Sequence, residues 1–131
     1  VNTHQDSTFL FTKPETCVGF WIALEDATVE NGCMWAAAGG HNSSLRNRFR
    51  NNGQKMEMIT LDETPMPECD TALPAPKGTI VVLHGRLPHH SAPNRSSVSR
   101  YAYAMHLIDK TAEYPKDNWL QRPKEFETSQ L

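Results

Sequence analysis

Between Val18 and Leu24 the chain alternates: Val18, Phe20, Ile22 and Leu24 fall on one side of an extended backbone, Gly19, Trp21 and Ala23 on the other. A period of two is that of a β-strand, whose successive side chains point to opposite faces. The run from Gly78 to His84, with Ile80, Val81 and Val82 at its centre, predicts the strongest strand, because β-branched side chains fit a pleated, half-buried surface. From Arg100 to Leu107 a third alternation puts Arg100, Ala102, Ala104 and His106 on one face, where the alanines leave a hollow beside the guanidinium. Tyr101, Tyr103, Met105 and Leu107 are expected to pack outward against other layers. Residues 55–61 permit a further strand, and Asn31-Gly32 marks a tight turn. Ser43 or Ser44 is placed to cap a short helix through Leu45 and Phe49. Residues 62–77 hold Pro65, Pro67, Pro74 and Pro76 and predict an irregular connection. After Asp109 the chain turns polar, with Pro115 and Pro123 limiting regular structure and Trp119 as an anchor.

His4, Gln5 and Asp6 form a His-x-Asp step. In an extended segment His4 and Asp6 reach one ion together while Gln5 points away. Two imidazoles and one carboxylate on a single face of an octahedron, with the other positions open, make the 2-His-1-carboxylate Fe(II) site. The second imidazole must come from downstream, where His84, His89 and His90 compete. A hairpin connecting His89 to Arg100 would set these two on adjoining strands facing one cavity. His90 would then point to the opposite face, and His84 would lie about five residues deeper, roughly 16 Å at the usual strand rise. His89 is therefore the third ligand candidate. His84 and His106 are expected in the core or behind the ligands, and His41 lies in a loop. The fork of Arg100 suits a carboxylate held away from the metal, in such sites the far end of 2-oxoglutarate. Trp21, flanked by small residues on its own face, either walls a pocket for that dicarboxylate or is a large core aromatic.

The chain's 131 residues, 38% of them hydrophobic, bound it to one domain of ordinary globular composition. Its longest apolar stretches are strand-length, so no membrane partner is expected. A formal charge of −2 provides no field to recruit nucleic acid. Arg46, Arg48, Arg50 and Lys55 form a local basic cluster, read either as an anion site for a phosphate-bearing substrate or as a solvated face. Cys17, Cys33 and Cys69 are odd in number and contain no Cys-x-x-Cys pair, so neither a disulfide framework nor a cysteine zinc site is expected. A reducing, cytoplasmic compartment follows as the expectation. The ending Ser129-Gln130-Leu131 departs from the Ser-Lys-Leu peroxisomal address at its lysine, which leaves peroxisomal delivery as the alternative.

The stretch from Glu25 to Trp35, the Gly40-His41 that follows, the run from Gly78 to Gly85 and the late Asn118-Trp119-Leu120-Gln121 together resemble the phytanoyl-CoA dioxygenase family over nearly the whole chain. The resemblance implies a mainly β fold, a double-stranded β-helix or jelly-roll barrel of eight strands. It places iron on His4, Asp6 and His89, the distal carboxylate of 2-oxoglutarate on Arg100, Trp21 along the cosubstrate pocket, and a hydrogen bond from Ser91 to 2-oxoglutarate; O2 takes the remaining position. It also puts the His-x-Asp at the end of the second core strand. Residues 1–131 would then be a single partial domain, the C-terminal part of a longer chain whose N-terminal strands are absent. Between Trp35 and His41 the chain departs from the family pattern, with Ala36, Ala37, Ala38, Gly39 and Gly40 where a bulkier apolar pair and a proline are usual.

The activity so implied is hydroxylation of an organic small molecule, acyl-CoA-like by family analogy, with release of succinate and CO2, by a protein expected to be monomeric when intact. Related halogenases carry a small residue in place of the carboxylate to admit halide, so Asp6 argues for hydroxylation. Two other readings stay open. The fold also serves non-catalytic metal and ligand binding, and zinc accepts the same ligands with an open water position for hydrolysis.

Overall fold

The computed structural model describes residues 1–121, and their regular structure is almost entirely β. Eight strands are described: β1 (Val18–Ala23), β2 (Met34–Ala36), β3 (Asn47–Asn51), β4 (Met56–Thr60), β5 (Thr71–Leu73), β6 (Ile80–His84), β7 (His89–Ser91) and β8 (Ala102–Leu107). β3 and β4 form a hairpin, β2 pairs with β5 and β1 with β6, so the chain from β1 to β3 is retraced by β4 to β6 as one folded antiparallel ribbon. β7 and β8 then add to the free sides of β2 and β1. Two three-stranded sheets result, β6-β1-β8 and β5-β2-β7, in the jelly-roll arrangement expected from the sequence. The core lies between them. Trp21 and Ala23 of β1 and Leu83 of β6 join Met34 of β2, with Ala27, Cys33 and Ala75 completing the cluster. Gly32 takes the turn into β2 at φ +89°, and a side chain there would meet the Ala92 carbonyl oxygen at 2.5 Å.

The alternation of β1 is realised, with Gly19, Trp21 and Ala23 buried and Val18, Phe20 and Ile22 half-buried. The expected helix through Leu45 and Phe49 is instead strand β3. The arginines in and just before it explain why: Arg46, Arg48 and Arg50 recur every second residue, a strand period, and each meets an acid. Arg46 pairs with Asp62 at 3.1 Å, Arg50 with Glu57 across the hairpin at 3.0 Å, and Arg48 with Asp117. Arg46 and Arg48 are buried, so this part of the cluster is neither a solvated face nor an open anion site. The proline-rich connection also contains the short strand β5, held by pairing with β2 rather than by local propensity. Trp119 touches the Phe49 ring at 6.1 Å, but the buried anchor is its neighbour Asn118, which donates to the Phe11 carbonyl at 2.7 Å and accepts from Arg48 at 3.0 Å. Pro123 and the ending Ser129-Gln130-Leu131 lie outside the described residues.

Tyr101, Tyr103, Met105 and Leu107 were placed against other layers by their alternation, yet all are exposed among the described residues, as are Ile80 and Val82. No described element covers that side of β6-β1-β8. His84 belongs to the same outer side, opposite Val18 in the register, and is exposed beside His41 at a ring separation of 5.7 Å. It is neither a core residue nor a neighbour of the His-x-Asp.

Candidate metal centre

His4 and His89 face each other across an antiparallel bridge, each donating its backbone N–H to the other's carbonyl, at 3.1 and 3.0 Å. Directly opposed residues project to the same side of a ladder. The two imidazoles accordingly lie with ring centroids 4.4 Å apart. Gln5 keeps an extended backbone, φ −117° and ψ 131°, and Asp6 opens a 3-10 turn over Asp6–Thr8. The strand predicted through both ligands thus ends at Gln5, because the Asp6 carbonyl accepts from Phe9 and Leu10 and the Ser7 N–H is drawn to the Gly85 carbonyl. One extended residue is enough to aim His4 and Asp6 the same way. Gln5 points away, as alternation predicts, but into protein: it is fully buried, donates to the carbonyls of Ser44 and Arg86 and accepts from the Arg46 N–H. These bonds fix the backbone between the ligand candidates.

The ligand atoms of His4, Asp6 and His89 all lie within 4.8 Å of one another. His4 Nδ1 is 2.8 Å from the Asn2 carbonyl oxygen and His89 Nδ1 is 2.9 Å from that of Leu87. A carbonyl only accepts, so each Nδ1 carries the proton and each neutral Nε2 keeps a free lone pair. Both Nε2 atoms turn to Asp6 Oδ1, His4 at 3.4 Å and His89 at 3.7 Å, while His106 Nε2 stands 3.2 Å from Oδ2. Burial pushes the Asp6 carboxyl up, but contacts from His106, His4 and His89 more than offset it and hold the group well below the usual carboxylate range. Asp6 raises the His4 and His106 imidazoles against the effect of burial, whereas burial dominates at His89 and lowers it. Among the described residues, Asp6 Oδ2 makes no hydrogen bond of regular geometry although it is buried. A buried, ionised carboxylate with two lone pairs beside it is a donor set that fits a divalent cation.

The triad opens into a cavity of about 420 Å³ between the two sheets, and Trp21, Ser91, Arg100, Ala102, Ala104 and His106 share its lining. The shared face of Arg100 to His106 is therefore as the sequence predicts. The route from His89 to Arg100 is not: β7 belongs to one sheet and β8 to the other, so the connection crosses between sheets instead of forming a hairpin. Register explains the difference, since β7 pairs with β2 and β8 with β1. The Arg100 guanidinium lies 5.6 Å from the Trp21 ring centroid, and among the described residues no carboxylate pairs with it. Trp21 is both pocket wall and core, 8% exposed. Ser91 pairs with Met34 in the ladder, with its side chain on the cavity. His90 lies opposite Trp35 and stacks on it at 6.4 Å, beside a separate depression of about 620 Å³ that contains no ligand set.

Residues 1–102 match the family model described as phytanoyl-CoA dioxygenase (PhyH). The chain belongs to the phytanoyl-CoA dioxygenase family. It is 45% identical over 124 residues to phytanoyl-CoA dioxygenase 1 of Oryza sativa subsp. japonica, covering 91% of this chain and 43% of that protein. To the Dictyostelium discoideum homolog of phytanoyl-CoA dioxygenase domain-containing protein 1 it is 40% identical over 133 residues, covering 96% and 47%. Among solved structures it is similar to the epimerase SnoN in complex with Fe3+, alpha ketoglutarate and nogalamycin RO, with TM-score 0.64 and 26% identity over 86% of this chain and 43% of that one. EvdO2 from Micromonospora carbonacea var. aurantiaca complexed with 2-oxoglutarate gives TM-score 0.61 and 27% identity over 88% and 47%. The family and fold expected from the sequence are both borne out. The chain spans between 43% and 49% of the length of the curated relatives it matches.

Proposed function

We propose that the protein is an Fe(II)- and 2-oxoglutarate-dependent dioxygenase that hydroxylates an organic small molecule and releases succinate and CO2. The observation that carries this reading is the meeting of the His4, Asp6 and His89 triad and the Arg100 guanidinium, which has no carboxylate partner among the described residues, on one cavity. Those three residues would hold iron, which when bound supplies oxygen activation coupled to decarboxylation of 2-oxoglutarate. The chain's own groups do the rest. The Nδ1 contacts of His4 and His89 orient their Nε2 lone pairs, Arg100 receives the distal carboxylate, and Ser91 offers 2-oxoglutarate a hydroxyl donor. Trp21 bounds the pocket, and Ala102 and Ala104 leave the space that a dicarboxylate needs. The 2-His-1-carboxylate donor set, with a carboxylate clamp on the same cavity, suits an iron oxygenase with a dicarboxylate cosubstrate. An acyl-CoA-like substrate rests on family names alone, because Arg46, Arg48 and Arg50, the basic run that could hold its phosphates, are already paired with acids.

Succinate formation by the full-length protein with Fe(II), 2-oxoglutarate and O2, with and without candidate substrates, is the test. The expected result is turnover that stops when either iron or O2 is withdrawn. Cleavage of a candidate substrate that persists without O2 and forms no succinate would replace this reading by hydrolysis, and metal held with no 2-oxoglutarate consumed and no substrate converted would replace it by a binding module.

A further inference from the structure

The two oxygens of Asp6 have different neighbours. Oδ1 lies on the side of the ligand histidines, 3.4 Å from His4 Nε2 and 3.7 Å from His89 Nε2. Oδ2 faces β8, where His106 Nε2 is 3.2 Å away, at ion-pair distance. Gly19 is what lets them meet. It sits directly across from His106 in the β1–β8 register, and a side-chain carbon at residue 19 would lie 2.9 Å from Asp6 Oδ2 and 3.4 Å from His106 Nε2. Any larger residue there would push the carboxylate away from the strand. The glycine and the histidine thus form one device on the sheet opposite the His4–His89 bridge.

Resting on the function proposed above, we propose that His106 is a positioning residue that holds Oδ2 of Asp6, so that the carboxylate presents Oδ1 alone to the metal. An octahedral ion with three protein ligands keeps three positions open, two for the keto acid and one for O2. A carboxylate free to rotate can bind through both oxygens and fill one of them. By occupying Oδ2, His106 restricts Asp6 to a single bond and keeps the cosubstrate positions clear, as a donor behind a ligand does in other metal sites.

The test compares His106→Met and His106→Gln in the full-length protein, two unbranched side chains of similar length that differ in hydrogen-bond donation. Anaerobic titration of Fe(II), followed by 2-oxoglutarate, is read from the visible iron–2-oxoglutarate charge-transfer band, so binding is measured without turnover. His106→Met is expected to need about 10- to 100-fold more metal or 2-oxoglutarate to form the band. His106→Gln, whose amide N–H can donate to Oδ2, should stay within a few fold of the parent. Gly19→Ala should shift the titration in the same direction as His106→Met. Equal titrations for Met and Gln, whether both intact or both impaired, overturn the positioning role, as does loss of fold in both. A parent protein that forms no band overturns this proposal together with the dioxygenase reading, whereas a normal parent with Met and Gln alike overturns the positioning role alone.

Discussion

Both faces of the β6-β1-β8 sheet carry large apolar side chains, but only the inner ones are covered. The inner face is small and polar along the β8 segment, with Arg100, Ala102, Ala104 and His106 on the cavity, and closed along β1 and β6, where Trp21 is 8% exposed and Leu83 4%, with Gly19 and Ala23 buried beside them. The outer face is the more apolar, yet Ile80, Val82 and Tyr103 are 56%, 59% and 57% exposed. An exposed apolar patch is an informative departure from the ordinary rule, and the outer face of this sheet shows one. Alternation along a strand identifies two faces without saying which one is inside. That is decided by the second sheet, whose Met34 and His89 close over the inner side, and by the need to leave room there for a ligand. Small residues inside are thus the mark of a site, and large ones outside are unconnected with it.

The sharpest way to break this contrast is to remove the charge at the centre of the inner face. Asp6→Ala should abolish substrate oxidation and strip the iron, because it deletes the only anionic ligand. Iron content after gel filtration and succinate yield are the measurements; retention of both would take Asp6 out of the site. His89→Ala should follow it, whereas His90→Ala should retain iron, since His90 is turned to Trp35.

Arg100→Lys should spare iron and weaken 2-oxoglutarate. Lysine keeps the charge and loses the two-point fork. A lost charge-assisted hydrogen bond is worth roughly 1.5 to 3 kcal/mol, about one to two decades in affinity. A 2-oxoglutarate titration identical to the parent's would show that the guanidinium does not hold the cosubstrate.

What the sequence made legible was period and residue type. The alternations of 18–24 and 100–107 separated the two faces of their strands, and the His-x-Asp step with His89 named the three residues that the structure gathers. What stayed hidden depends on long-range pairing. The β7–β8 connection reads as a hairpin until β2 and β1 are seen to claim its two ends. Arg46, Arg48 and Arg50 read as a helix face until Asp62, Glu57 and Asp117 are seen beside them. Gln5 gives no local sign that its amide spans Ser44, Arg46 and Arg86.

Acidification should separate folding from metal binding. Asp6 raises the His4 imidazole above its ordinary value of 6.5, against burial, so in the metal-free protein the stabilising contribution of protonated His4 is fully present below 6.5 and is lost as pH rises through the raised value. His106 has the same sign. The Asp6 carboxyl, held low, contributes above 3.8 and is lost only in strong acid. Metal binding needs the opposite state of His4, an unprotonated Nε2. Below the raised pKa of His4, metal affinity should therefore fall by about tenfold per pH unit, the slope for one competing proton. The melting temperatures of metal-free and metal-loaded protein should converge as pH is lowered from about 8 to about 6, through the range in which histidines change charge. A constant separation would show that His4 does not exchange a proton for metal.

The smallest effect is expected on the outer face, and it is the control that the comparison requires. Tyr103 and Arg100 are three residues apart in one extended segment and project to opposite sides, so a lysine at each asks the same question of the two faces. Tyr103→Lys places an ammonium at a residue that is 57% exposed among the described residues. Stability should stay within about 0.5 kcal/mol of the parent, the ordinary range for surface substitutions. Binding of a hydrophobic dye should fall, because the exposed apolar patch is interrupted, and the iron and 2-oxoglutarate titrations should superimpose on those of the parent. A shifted titration would mean that the outer face communicates with the metal centre, and the separation of the sheet into a ligand-holding side and an indifferent one would fail.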